Sequence, residues 1–276
     1  MKKTIAYFLF VSLLIFTSCD YIEPPFTTGI IPDTTTAVKQ KVLVEYHTGH
    51  YCINCPTAAN ELKLLKQTYG DRLIYISVHS DDWFAGPHAS PYEADYRSPE
   101  SKDIASRFSV VAYPAGVINR KKFNNDWSLN HTAWAAVIAD ELILTPKVEI
   151  TINASLQGNT ISTDLSVETL ESIDGTYNIS VYIVEDGLIS AQKNNNPNIG
   201  TTPDITDYEH KYVLRGSMNG TWGEEIFTDA LPGDTFSKQL SASKHNDWDA
   251  AKIYLICIVT EFDTDEVIQV EIKKLQ

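Results

Sequence analysis

The stretch YHTGHYCINCPTAANELKLL, residues 46–65, gathers the side chains with the most chemical reach in the chain. Cys52 and Cys55 stand three apart, with His47 and His50 just ahead of them. Two thiols at that spacing suit thiol–disulfide exchange, in which one thiolate attacks and the other resolves the mixed disulfide. The same four residues supply the N and S donors a tetrahedral zinc site requires, and the histidines also suit a softer metal. A third option is a structural disulfide, although a bond across so short a loop constrains little of the unfolded chain. Against metal, the ligands crowd into one turn, no second C-x-x-C follows, and Pro56 excludes the haem-attachment pattern C-x-x-C-H. No metal and no cofactor is expected.

The elements that must position these thiols are legible nearby. Residues 41–46, KVLVEY, form a β-rich apolar run that Gly49 ends. Pro56 suits the first turn of a helix, Ala58, Leu62, Leu65 and Tyr69 recur at helical spacing, and Gly70 is a helix stop. Residues 73–79, LIYISVH, read as a second buried strand. The dithiol therefore falls where a strand hands over to a helix, where free N–H groups and the helix dipole lower a cysteine pKa. Cys52, the outer residue, is expected to be the nucleophile and Cys55 the resolving thiol.

The compartment permits a disulfide. The chain opens MKKTIAYFLFVSLLIFTSCD, with two lysines, a short apolar run and small residues before Cys19. This reads as a secretory signal (residues 1–18), and its end resembles a bacterial lipobox that would leave Cys19 lipidated. Residues 19–40 are rich in Pro and Thr and read as a tether. The formal charge is −14, with 22 basic against 36 acidic residues, which disfavours nucleic acid. Cys257 lies in an apolar strand pattern and is expected to pack as a small hydrophobe. His79 and His88 are expected at the surface. No Ser-His-Asp grouping, Gly-rich phosphate loop or paired-carboxylate motif is present.

VLVEYHTGHYCINCP is similar to the first strand and active-site turn of thioredoxin-like proteins. The resemblance implies that Glu45 is the carboxylate beneath the dithiol that handles the resolving thiol's proton. The loop from Glu45 to Cys52 is one residue longer than usual, and Ile53-Asn54 replaces Gly-Pro. VVAYPAGV, residues 110–117, resembles the family's cis-proline segment, which implies a cis bond at Pro114 and a place there for an incoming peptide. Residues 80–98 are an aromatic-rich insertion, expected to shape a groove or cover the sheet. Ser98 is expected to cap a short helix beginning at Pro99, and a last helix is expected over 130–143.

From Pro146 the pattern changes to period-two alternation, as in Val148, Ile150, Ile152, Ala154 and Leu156. Several such segments predict an antiparallel, immunoglobulin-like sandwich. The connection 190–225 is expected to carry a small helix around DYEHKYVLRG and to reach toward the dithiol. The expected architecture is an α/β thioredoxin-like domain, 41–145, followed by an all-β immunoglobulin-like sandwich domain, 146–276. The lipobox, T-G-x-x-C-x-x-C-P and HKYVLRG together resemble the outer-membrane-protein-28 lipoproteins of Gram-negative envelopes. That resemblance implies an outer-membrane, lipid-anchored protein. Two functions follow as expectations: an oxidoreductase exchanging disulfides with envelope proteins or peptides that carry thiols, or a non-catalytic binding lipoprotein.

Overall fold

The computed structural model describes residues 38–276. The signal peptide, Cys19 and nearly all of the tether lie outside the described residues.

Strand β1 (Val42–His47) leads through the C-x-x-C turn into helix α1 (Cys55–Tyr69), and β2 (Leu73–Val78) returns parallel to β1. Pro56 occupies the first turn of α1, and Gly70, at φ +55°, closes it by donating its N–H to the Lys66 carbonyl. After the irregular insertion comes α2 (Pro99–Arg107), whose N-cap Ser98 accepts from the Ser101 N–H. Next come β3 (Ala115–Ile118), the two-residue β4 (Ser128–Leu129) and α3 (Trp134–Leu142). The Tyr113–Pro114 bond is cis, as the resemblance implied.

The C-terminal half supplies β5 (Val148–Gln157), β6 (Thr160–Thr169), β7 (Ile173–Glu185), β8 (Leu188–Lys193) and β9 (Asp204–His210). It continues with β10 (Val213–Ser217), β11 (Glu224–Ala230), β12 (Thr235–Ser243), β13 (Ile253–Glu261) and β14 (Val267–Lys274). The main sheet runs β14-β13-β7-β10-β2-β1-β3-β4, with β11 added beside β7. A second sheet, β12-β6-β5, and the hairpin β8-β9 complete the β-rich fold.

One expectation changes here. The small helix around DYEHKYVLRG is instead β9 and β10, because β8 offers β9 a partner edge and β7 offers one to β10. Strand β10 joins β2, and Leu43, Ile74 and Ile76 share one apolar cluster with Tyr182, Ile256 and Val270.

Alternation along β1 decides what each face carries. Val42, Val44 and Tyr46 pack with α1, α3 and both cysteines. Leu43 joins the opposite cluster with Ile104 and Phe108 from the α2 segment. The sheet β12-β6-β5 covers a third core, setting Ile150, Ile161 and Val167 against Ile179, Leu255 and Cys257. Cys257 is a buried free thiol whose pKa burial raises, as its apolar pattern implied.

Candidate functional site

Cys52 and Cys55 are joined as a disulfide at the start of α1. The turn that holds them is shaped by Gly49. A Cβ there would stand 2.2 Å from the Phe84 carbonyl oxygen, so only glycine lets the insertion approach. That same carbonyl accepts the Tyr51 N–H at 2.9 Å. The Tyr51 ring stacks on His88 at 3.9 Å and meets Tyr92 and Trp83 edge-on. The insertion thus walls the turn with aromatics.

A second cover comes from the end of β8 and the run that follows, 192–196. Lys193 N–H donates to the His50 carbonyl at 2.8 Å, and Asn195 N–H to the Ile53 carbonyl at 3.1 Å. The buried Gln192 amide donates to the carbonyls of Gly49 and Cys52, at 3.2 and 2.9 Å. Asn195 and Asn196 side chains bond Asn54 and Thr57. Backbone and side chain together lie across the turn as an added strand would. Cys52 is left 3% exposed and Cys55 1%. Cys52, the outer residue expected to be the nucleophile, is therefore closed off in this state, with a distant segment bonded across its turn.

Glu45 does not take the role the resemblance implied. Tyr46 is the residue of β1 that faces the disulfide, and its hydroxyl donates to the Cys55 carbonyl at 2.7 Å. Glu45, one residue away, points through the sheet to the opposite face. There Arg120 grips it, with Nη2 2.6 Å from Oε1 and Nε 3.0 and 3.2 Å from the two oxygens. Arg120 also donates to the Tyr182 hydroxyl at 2.9 Å and lies over the Trp222 ring. Burial opposes the Arg120 charge, but Glu45 and Tyr182 outweigh it and hold the guanidinium pKa raised. Pro114, half-buried, precedes the strand that pairs Ala115 with His47, and Tyr113 packs against the cluster holding both cysteines.

The tetrahedral donor set is not assembled. Both sulfurs are spent on each other, the His47 ring meets Tyr113 and the His50 ring lies beside Tyr92. Among the described residues no three His, Cys, Asp or Glu side chains are grouped to hold a metal. His79 is not at the surface but 1% exposed, near His210 and Tyr96. His88 is half-buried against Tyr51.

Burial lowers the pKa of His47 to about 3, and burial with a smaller effect of neighbouring His50 does the same to His79. Both stay neutral in the fold while the unfolded chain protonates near 6.5. Their contribution is therefore complete above about pH 6.5 and is lost as pH falls toward 3, at up to ~1.4 kcal/mol per pH unit each. Thermal unfolding between pH 7.5 and 4.5 should show this decline, and His47→Gln should flatten it by about one proton. An unchanged slope would contradict the assignment.

The sequence reading missed Arg120 and the cover at 192–196. The signals present were an arginine in the N-R-K-K turn after the proline segment, and Q-K-N-N-N-P-N, a run dense in amides.

Among the described residues no helix is long and apolar enough to cross a membrane. No curated protein matches the chain. Among solved structures, HBP35 of Porphyromonas gingivalis aligns with a TM-score of 0.64 at 13% identity, over 87% of this chain and 77% of that one. A protein from Agrobacterium tumefaciens gives 0.53 at 11% identity, over 86% and 95%. Both likenesses show a shared fold. A domain of the outer membrane lipoprotein Omp28 from Porphyromonas gingivalis gives 0.34 at 19% identity, over 49% and 92%. The family described as outer membrane protein Omp28 matches residues 101–276, well over half of the sequence. The chain belongs to the Omp28 family of outer membrane proteins.

Proposed function

We propose that this outer-membrane lipoprotein is a binding protein, built on a thioredoxin-like unit over 41–145 and an immunoglobulin-like β unit over 146–276. Cys52–Cys55 acts in it as a closure of the turn rather than as a catalyst. One observation carries this reading: both sulfurs are buried under residues 192–196, held by hydrogen bonds from Gln192, Lys193 and Asn195. An exchange catalyst needs its attacking sulfur within reach of another protein's sulfur. The loss of Glu45 to Arg120 supports the same reading, since the carboxylate expected to move the proton is engaged on the other face.

Anchoring follows from the lipobox. Cys19 carries the lipid, and several acyl chains hold a protein to a bilayer where one chain binds only marginally. Cys19→Ala should move the protein from the membrane to the soluble fraction, and mass spectrometry of the native protein should find the diacylglyceryl group on Cys19. A mature chain starting elsewhere without lipid would overturn the anchor.

The exchange reading is favoured by one feature, the position of the pair at the N-terminus of α1, where the helix dipole stabilises a thiolate. In that reading residues 192–196 lift away and the reduced Cys52 thiolate attacks a partner's disulfide, expelling the partner's first thiolate. Cys55 then attacks Cys52, releasing the second and leaving Cys52–Cys55 oxidised. Pro114 aligns the incoming peptide, and thiol- or disulfide-bearing envelope proteins are the partners. Cys55→Ser would trap mixed disulfides under this reading and none under the binding one.

A further inference from the structure

Strands β8 and β9, which carry the cover over the disulfide, form a sheet of their own and pair only with each other. Both ends of this hairpin are pinned. Asp186 N–H donates to the Lys252 carbonyl, and Lys252 Nζ donates to that of Gly187, where φ is +71°. At the other end Ser77 donates its N–H to the Tyr212 carbonyl at 2.8 Å and its hydroxyl to that of Lys211 at 2.7 Å. Between these anchors the hairpin can move as one piece without breaking a strand ladder to the rest of the protein.

Histidines gather where the hairpin meets the rest of the fold. His210 ends β9, His79 follows β2, His50 belongs to the cysteine turn, and all three are buried. The His79 and His210 rings are 6.0 Å apart, and the Tyr96 ring stands 5.5 Å from the first and 5.1 Å from the second. No ring nitrogen of His50 or His79 makes a hydrogen bond of good geometry, and His210 uses its Nε2 on Ser190 of β8 at 2.9 Å. Register ties this cluster to the cover, because β8 pairs Leu188 with His210 and Gln192 with Ile205.

A positive charge on either ring finds no free counter-charge. The titratable groups facing His79 and His210 are His50 from the turn, Asp95 and Tyr96 from the insertion, Tyr208 from β9, Arg215 from β10 and Lys63 from α1. Asp95 is held by Arg97, Glu185 by Arg215 at 3.4 Å, and Glu209 by Lys211 at 2.6 Å. Burial, with a smaller push from His50, lowers the pKa of His79 to about 3, and burial with His79 and His50 takes that of His210 well below its ordinary value. Once exposed, both rings protonate near 6.5. The closed hairpin is therefore favoured in full above about pH 6.5, and each histidine costs it up to about tenfold in population per pH unit below that.

We propose that the β8–β9 hairpin is an acid-released strap: protonation of His79 and His210 swings it away on the anchors at 186–187 and 211–212 and uncovers the Cys52–Cys55 turn. This goes beyond the binding reading, which needs no movement of the cover, and it holds for either use of the disulfide. Release leaves intact the core that holds Cys257, since neither strand of the hairpin contributes to it.

Reduction of the native disulfide by a water-soluble phosphine reads the opening. The full chain is followed from pH 7.5 to 6.0, each rate divided by that of the same protein in urea at the same pH. Two histidines that protonate near 6.5 once exposed should raise this ratio about 15-fold. His79→Gln and His210→Gln should each leave a rise of about fourfold, and His47→Gln, at a ring that meets Tyr113 instead, should keep the full rise. A pyridyl disulfide, which reacts with thiols in mild acid, should leave Cys257 unlabelled across the range. A flat ratio in the native protein would overturn the proposal whether or not the variants fold, and so would a rise that both His79→Gln and His210→Gln leave unchanged. Labelling of Cys257 in step with reduction would also overturn it, because the whole fold would then be opening.

Discussion

Replacing Arg120 by alanine lowers the melting temperature by about 6–20 °C. Arg120 and Glu45 are 1% and 0% exposed at their side chains, so neither charge reaches water. Removing one partner of such a pair leaves the other buried and uncompensated, which costs ~3–5 kcal/mol. For a folded unit of this size each kcal/mol shifts the midpoint by about 2–4 °C. Arg120→Ala also strips the Tyr182 hydroxyl and the Trp222 face of their neighbour. Glu45→Gln should cost a similar amount, since it leaves the guanidinium facing a neutral amide. The double replacement Glu45→Leu with Arg120→Met removes both charges and should recover most of the loss. Differential scanning calorimetry at constant pH reads all three. Equal melting of Arg120→Ala and the native protein would mean the pair is not buried as described. Because Glu45 lies across the sheet from the disulfide, Glu45→Gln should leave the reactivity of the cysteines unchanged apart from any general loosening.

The second large effect is the protection of the cysteines. After reduction with a phosphine, Cys52 and Cys55 in the folded protein should react with iodoacetamide at least about 100-fold more slowly than in urea. The cover must detach before either sulfur is reached, and it is held by two backbone N–H donors, both Gln192 bonds and the Asn195 and Asn196 side chains. At the low end of ~0.5 kcal/mol each, these bonds amount to about 3 kcal/mol, or roughly two decades in the open population. Gln192→Ala deletes the two bonds to the cysteine turn, about 1 kcal/mol on the same scale, and should speed labelling about fivefold. Asn195→Ala should have a smaller effect, since its backbone donor remains. Prompt labelling of Cys52 alone in the native protein would shift the balance to thiol–disulfide exchange with the cover as a moving element.

Features that neighbours within a few residues decide are legible in the sequence. Residues 42–78 run strand, helix, strand because apolar spacing, Pro56 and Gly70 act locally. The Ser98 cap, the Pro99 start and the alternation of β5 are of the same kind. The pair at the helix start was legible for that reason, and so was the buried strand around Cys257. The resemblance to the Omp28 family was legible too, and the family matches residues 101–276, which hold HKYVLRG.

The remaining features depend on partners far along the chain. Residues 204–210 became a strand because β8 supplied an edge, which no local propensity announces. His79 left the surface because β9 brought His210 against it, some 130 residues away, and Tyr96 closed in beside it. The cover over Cys52 lies 140 residues from it. Glu45 is the most instructive case. The loop to Cys52 carries one residue more than the thioredoxin pattern, and a shift of one residue along a strand sends a side chain to the other face. Tyr46 thus meets Cys55, and Glu45 meets Arg120, whose place at the end of β3 is set by antiparallel pairing with β1. Face and register are properties of the assembled sheet, because only packing on both sides makes one parity cheaper than the other.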